Sequence, residues 1–298
     1  MNVLAATPFS LNLIRDISDM LGTDFMPSAF MAGGCIALAA GLVGYFVVLR
    51  NQVFTSDALG HVAFTGGLGG VLVGVPLILA VFGSTIGGAL AIGSLGGRGR
   101  GRDVAIGTVF AWVLGLGVLF LSIYTTARSA GIGILGVGVL FGSILSLQPQ
   151  QTAIASIAGI ATSVALLAIS RPLLFASVDL DVATARAVPV RLVTLAFLIL
   201  VGLTVAEAVQ AVGALLIFGL LVTPAAIAQD ITANPYAGMV LSAVLAVAFV
   251  WAGLVLAFYI SYPASFFIIA ISFATYVLTA VATHLLARSS DDDPRPMT

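Results

Sequence analysis

The stretch "SAFMAGGCIALAAGLVGYFVVL", residues 28–49, carries no charged side chain from end to end. An α-helix rises 1.5 Å per residue, so about 20 such residues cross the roughly 30 Å hydrocarbon core of a bilayer. The segment therefore predicts a membrane span, and the rest of the chain repeats it. Of 298 residues, 60% are hydrophobic and only 8% are charged, whereas an ordinary soluble domain carries about 25% charged residues. Mean hydropathy is +1.19. The apolar runs lack the alternating, roughly ten-residue segments of an outer-membrane barrel. The fold class that follows is all-α, a polytopic transmembrane helical bundle.

Apolar runs between polar breaks predict spanning helices over 28–49, 56–73, 76–95, 104–126, 151–169, 190–210, 211–228, 236–259 and 263–287. That is about nine crossings, with about eight as the alternative count. "VGVP", residues 73–76, leaves room only for a hairpin, with Pro76 starting the next helix. Residues 130–147, "AGIGILGVGVLFGSILSL", are long enough to span but glycine-rich enough to form a broken or re-entrant helix. Charge separates these courses. If 130–147 does not cross, Arg50, Arg98, Arg100, Arg102, Arg171, Arg186, Arg191, Arg288 and Arg295 share one side, opposite Arg15 and Arg128. The positive-inside rule makes the majority side cytoplasmic.

The expected topology is thus N-terminus out and C-terminus in. It comprises an extracytoplasmic segment 1–25, a transmembrane domain 26–288, and a disordered cytoplasmic tail 289–298. Residues 1–25 lack an early basic region followed by an apolar core, so no cleaved signal peptide is expected. "LGGRGRGRD", residues 95–103, reads as a flexible basic loop near anionic headgroups. Cys35 is the only cysteine, which leaves it a packing role. No basic patch suits nucleic acid.

Against this background "TSDALGHVAFTGG", residues 55–67, places Asp57 and His61 one helical turn apart. A carboxylate at the centre of a span costs about 2.5–3.5 kcal/mol on insertion scales, and such residues usually face a polar cavity or a partner. Asp57 reads either as a helix N-terminal residue, capped by Thr55 or Ser56, or as one half of a polar site. At i and i+4 the two side chains share a face, with Cβ atoms about 6 Å apart. Carboxylate plus neutral imidazole suits Zn²⁺, Mn²⁺ or Fe²⁺. Two ligands are too few for one ion, and a two-fold dimer would bring four together. An Asp–His proton relay is the other chemistry. Glu207, the only glutamate, stands near Gln210. It either lines the same pathway or points to water at the end of its helix.

The chain has no lysine, so it cannot form the P-loop of an ATPase. ATP-driven transport would need a separate nucleotide-binding subunit and a cytoplasmic surface to receive it. "SVDLDVATARAVPVRL", residues 177–192, supplies a candidate surface. Asp179 can cap a short helix running to Arg186, and Pro189 begins the next span.

Five segments occur in order: "VVLRNQVFTSDALGHVAFTG" (47–66), "DVAIGTVFA" (103–111), "LFGSILSL" (140–147), "DLDVATARAVPVRL" (179–192) and "VQAVGALLIFGLLVTPAAIAQDIT" (209–232). Together they resemble the ABC-3 family, the membrane permeases of bacterial manganese, zinc and iron ABC importers. The resemblance implies a bacterial inner-membrane protein and a permease dimer of identical or closely related protomers. Asp57 and His61 would then line the cation path. It implies a cytoplasmic ATP-binding subunit seated on a coupling helix at 179–188, matched through Asp179, Ala183 and Pro189 with Arg186 and Ala187 between them. It also implies an extracytoplasmic metal-binding protein. The divalent metal is then cargo, no cofactor is permanently bound, ATP sits on the partner, and the permease is not itself an enzyme. Three positions depart from the family pattern: Thr65 replaces a proline, Ala187 a common glycine, and Glu207 is charged where the family is apolar. The rival readings are a proton-coupled secondary carrier and an intramembrane metalloenzyme.

Overall fold

The computed structural model describes residues 20, 22–23, 25–94, 100–127, 140, 142, 144–214, 217–260 and 262–291. Among the described residues the chain forms ten α-helices and no strand. They are α1 (Met26–Leu49), α2 (Val53–Leu72), α3 (Leu77–Ser94), α4 (Arg100–Ala127), α5 (Pro149–Val178), α6 (Leu180–Ala185), α7 (Val190–Ala211), α8 (Ile217–Ile231), α9 (Pro235–Tyr259) and α10 (Ala264–Asp291). A 3-10 turn, Ile144–Ser146, precedes α5. The chain is a polytopic helical membrane protein.

Each of the nine segments expected to span corresponds to a helix, but they are not equivalent. Seven are long and apolar enough to cross a membrane: α1, α3, α4, α5, α7, α9 and α10. α2 carries Ser56, Asp57, His61 and a run of glycines, which lower its hydropathy. α8 has 15 residues, about 22 Å of helix, short of the hydrocarbon thickness. The expected break at 210–211 falls later, because α7 continues through Ala211 and Gly213 turns the chain at φ 95°. α5 also overruns its expected end at 169, passing through Arg171 and Pro172 to Val178. Its 30 residues make a rod of about 45 Å, longer than the roughly 30 Å hydrocarbon core. α10 extends to Asp291, and residues 292–298 of the tail lie outside the described residues. So do nearly all of 1–25, residues 130–139, 141 and 143 of the glycine-rich segment, and 95–99 of the expected basic loop, whose residues 100–103 belong to α4 instead. Leu140, Gly142 and the turn at 144–146 are described, and Ile144 is buried against α1.

Lipid tails are as apolar as leucine, so helices in a bilayer associate through close packing and hydrogen bonds rather than hydrophobic burial. α1 is the hub. Ala29, Ala32, Gly33, Ala37, Ala40, Gly41 and Gly44 are buried along it, and α5, α7, α8 and α9 surround it. At Gly41 a Cβ would lie 2.6 Å from the Ala243 Cα, and there Ser242 donates to the Gly41 carbonyl at 2.7 Å. At Gly44 a Cβ would run into the Leu221 carbonyl of α8. α2 and α3 form the expected hairpin, with Gly74 in the left-handed region at φ 84° and Gly66 and Gly70 meeting Ser84 and Ala80. α4 packs on α2 and leaves Val109, Trp112, Val118 and Leu119 exposed.

Candidate functional site

α2 begins three residues before the expected start, at Val53, and no side chain caps it. Ser56 instead donates to the Val53 carbonyl at 2.7 Å. The capping roles considered for Thr55 and Ser56 are therefore not formed, and Asp57 lies inside the helix. Asp57 and His61 are both half-buried, and their four-residue spacing puts them on one face of α2. No hydrogen bond engages the Asp57 carboxylate among the described residues. The His61 ring meets Phe110 of α4 edge-on, with centroids 4.8 Å apart and planes at 83°. Phe54, on the same face, packs on that Phe110 at 6.0 Å.

The glycines that follow His61 serve contacts within the chain, Gly66, Gly67 and Gly70 turning to α3. Thr65 explains one departure from the family pattern. Its hydroxyl donates to the Val113 carbonyl of α4 at 2.8 Å, tying α2 to α4 where the usual proline has no donor to offer. Among the described residues no three His, Cys, Asp or Glu side chains converge to hold a metal ion. Asp57 and His61 alone would be too few donors to hold an ion within one protomer.

Glu207 is fully buried, at 0% exposure, so the reading in which it points to water is excluded. Thr162 of α5 donates to its Oε1 at 3.3 Å, while Oε2 has no hydrogen-bond partner. A Cβ on Gly159 would lie 3.3 Å from Oε2 and 2.7 Å from the Cys35 carbonyl, which places the carboxyl where α1, α5 and α7 meet. Its contacts lie with α5, those of His61 with α4, and the structure shows no contact joining the two groups. Sequence reasoning named neither Thr162 nor Phe110. A threonine and a phenylalanine in other helices have no spacing relation to Glu207 or His61.

The short helix expected after Asp179 is α6. Asp179 is its N-cap, accepting from the backbone N–H of Asp181 at 2.9 Å and of Val182 at 3.0 Å. The Val188 N–H returns to the Ala183 carbonyl and the Ala187 N–H to the Thr184 carbonyl, both at 3.0 Å. This is the paired closure of a Schellman turn, whose left-handed residue is usually glycine. Here it is Ala187, at φ 56°. Pro189 follows just before α7. Ala183 is fully buried beneath α6, so it seats the helix on its own protomer. The outward residues are Asp181, Val182, Thr184, Ala185 and Arg186, and the Arg186 guanidinium lies 5.1 Å from the Phe175 ring centroid. Ala187→Gly should stabilise this turn by about 1 kcal/mol, because glycine adopts positive φ without the Cβ clash. Amide hydrogen exchange over 180–188 should slow; unchanged or faster exchange would show the turn to be unstrained.

Residues 22–283 match the ABC 3 transport family. A membrane protein of Cyanophora paradoxa, named as uncharacterized and from the ycf23-apcF intergenic region, is 30% identical over 240 residues, 80% of this chain and 79% of that one. The manganese transport system membrane protein MntC of Halalkalibacterium halodurans is 26% identical over 222 residues, 74% of each chain. The fold resembles that of PsaBC from Streptococcus pneumoniae, solved in complex with Fab, with a TM-score of 0.77 and 24% identity over 89% of this chain and 94% of that one. The family match runs from before α1 into α10 and so takes in the helix of Asp57 and His61 together with α6: the chain is a multi-pass membrane permease belonging to the ABC 3 transport family.

Proposed function

We propose that the chain is the permease of an ATP-driven importer for a divalent transition metal, with manganese the favoured cargo. The observation that carries this reading is Asp57 and His61, one turn apart on α2, half-buried, the carboxylate without a hydrogen bond among the described residues. An oxygen and a nitrogen donor in a low-dielectric setting suit Mn²⁺, and a two-fold related protomer supplies the other pair. Naming of the MntC relative as a manganese transport protein supports the choice of metal. In this reading the N-terminus is outside and the C-terminus inside. α6 with Arg186 and Val182 faces a cytoplasmic ATPase, Asp179 and Ala187 hold α6 in shape, and an extracytoplasmic binding protein delivers the ion.

The test is uptake by proteoliposomes that hold the permease with its ATPase and metal-loaded binding protein. Manganese should accumulate only with ATP, and should outcompete zinc. Accumulation driven by a proton gradient without the ATPase would replace this reading with a secondary carrier.

A further inference from the structure

Arg50 stands at the C-cap of α1, three residues before α2 begins. Its Nη1 donates to the Ser177 hydroxyl at 3.2 Å and its Nη2 to the Thr194 hydroxyl at 3.0 Å. The guanidinium also lies 5.5 Å from the centroid of the Phe197 ring. Ser177 is near the end of α5, just before α6, and Thr194 is in the second turn of α7, just after it. The two arms of one side chain thus hold both limbs of the hairpin that carries α6.

The link from Arg50 to the Asp57–His61 helix is short and stiff. Asn51 takes a left-handed conformation at φ 53°. Its N–H returns to the Val48 carbonyl at 3.0 Å, and the Gln52 N–H returns to the Val47 carbonyl at 2.9 Å. The Gln52 carbonyl in turn accepts from the Ser56 N–H at 3.1 Å. The last turn of α1 and the first of α2 are therefore bonded through the same three residues, with no slack between them. A displacement of the α6 hairpin has a continuous hydrogen-bonded route through Arg50 to the helix of the proposed cation ligands.

We propose that Arg50 is a positioning residue for transport, joining both limbs of the α6 hairpin to the start of α2 so that movement of α6 sets the orientation of Asp57 and His61. The assignment rests on the reading of α6 as the ATPase contact. A planar guanidinium can give separate donors to Ser177 and Thr194 while its face meets Phe197. The compact ammonium of a lysine cannot do all three.

Arg50→Lys and the double variant Ser177→Ala with Thr194→Val, which keeps Arg50 and removes its acceptors, are compared with wild type in the same proteoliposomes. The readout is manganese ions taken up per ATP hydrolysed, per assembled complex. Both variants should still bind the ATPase and hydrolyse ATP, with the ion-to-ATP ratio reduced at least tenfold. A merely structural arginine would change the amount of complex and leave that ratio intact. Val182→Asp, on the outward face of α6, tests docking separately, and should release the ATPase. If Val182→Asp leaves docking intact, the α6 reading fails; if it releases the ATPase while the double variant keeps the wild-type ratio, the role of Arg50 is overturned. Should Arg50→Lys not assemble, the double variant alone decides.

Discussion

Asp57→Asn and His61→Ala should each reduce manganese uptake by at least about 100-fold, while the permease stays folded and bound to its ATPase. The size follows from ligand chemistry. Altering groups that merely orient a metal's ligands costs about 10–100-fold in affinity or activity, and these two substitutions would remove the donors themselves. Neither side chain is part of the tight helix contacts. Asp57 is half-buried without a hydrogen bond among the described residues, and His61 meets only the edge of Phe110 in a ring contact. Asp57→Asn is nearly isosteric, so thermal unfolding in detergent should be close to that of wild type. Unchanged uptake by either reconstituted variant would take that residue out of the cation path.

The second large effect is on the fold itself. Gly44→Leu should leave little permease in the membrane, because a Cβ at this position strikes the Leu221 carbonyl of α8 and helix backbone cannot step aside as a side-chain tip can. Overpacking of ordinary cores costs about 1–3 kcal/mol, and a clash with backbone at the central helix belongs at or above the top of that range. Gly83→Leu is the matched control, since nothing lies within 4 Å of a Cβ there. Membrane abundance and elution of the detergent-solubilised protein report the contrast. Equal abundance of the two variants would mean that α1 and α8 can separate at Gly44 without loss of the bundle.

The comparison of these two glycines shows what the sequence carries and what it hides. Apolar length alone located the helices, because crossing a bilayer is a one-dimensional requirement that a single run of residues meets. It does not say which glycine faces a neighbouring backbone, and Gly44 and Gly83 look alike until α8 is in place. The four-residue spacing put Asp57 and His61 on one face, as local helix geometry requires. The environment of Glu207 was beyond such reasoning, since Thr162 and Gly159 belong to a different helix. Asp179 was legible as an N-cap because capping is local. The sequence marks Ala187 as a departure from glycine without revealing its left-handed backbone, and it does not distinguish the buried Ala183 from an outward contact residue of α6. The end of α5 and the start of α8 differ from expectation where proline and glycine signals compete with tertiary packing: α5 passes through Pro172 to Val178, and α8 begins at Ile217 rather than at 211.

The seat of Glu207 also bears on how the chain is made. Thr162 precedes Glu207 by 45 residues, so at 5–20 residues per second of synthesis its helix is produced roughly 2–9 s earlier. The helix of Cys35 is made earlier still. When the ribosome delivers the segment holding the only glutamate, the hydroxyl and the glycine notch that will receive its carboxyl already exist. An order of manufacture with α7 first would expose that carboxyl to lipid, at a cost on the order of 3 kcal/mol on insertion scales. Circular permutants that place α7 ahead of α1 and α5 should consequently depend more heavily on the insertion machinery than the natural order does.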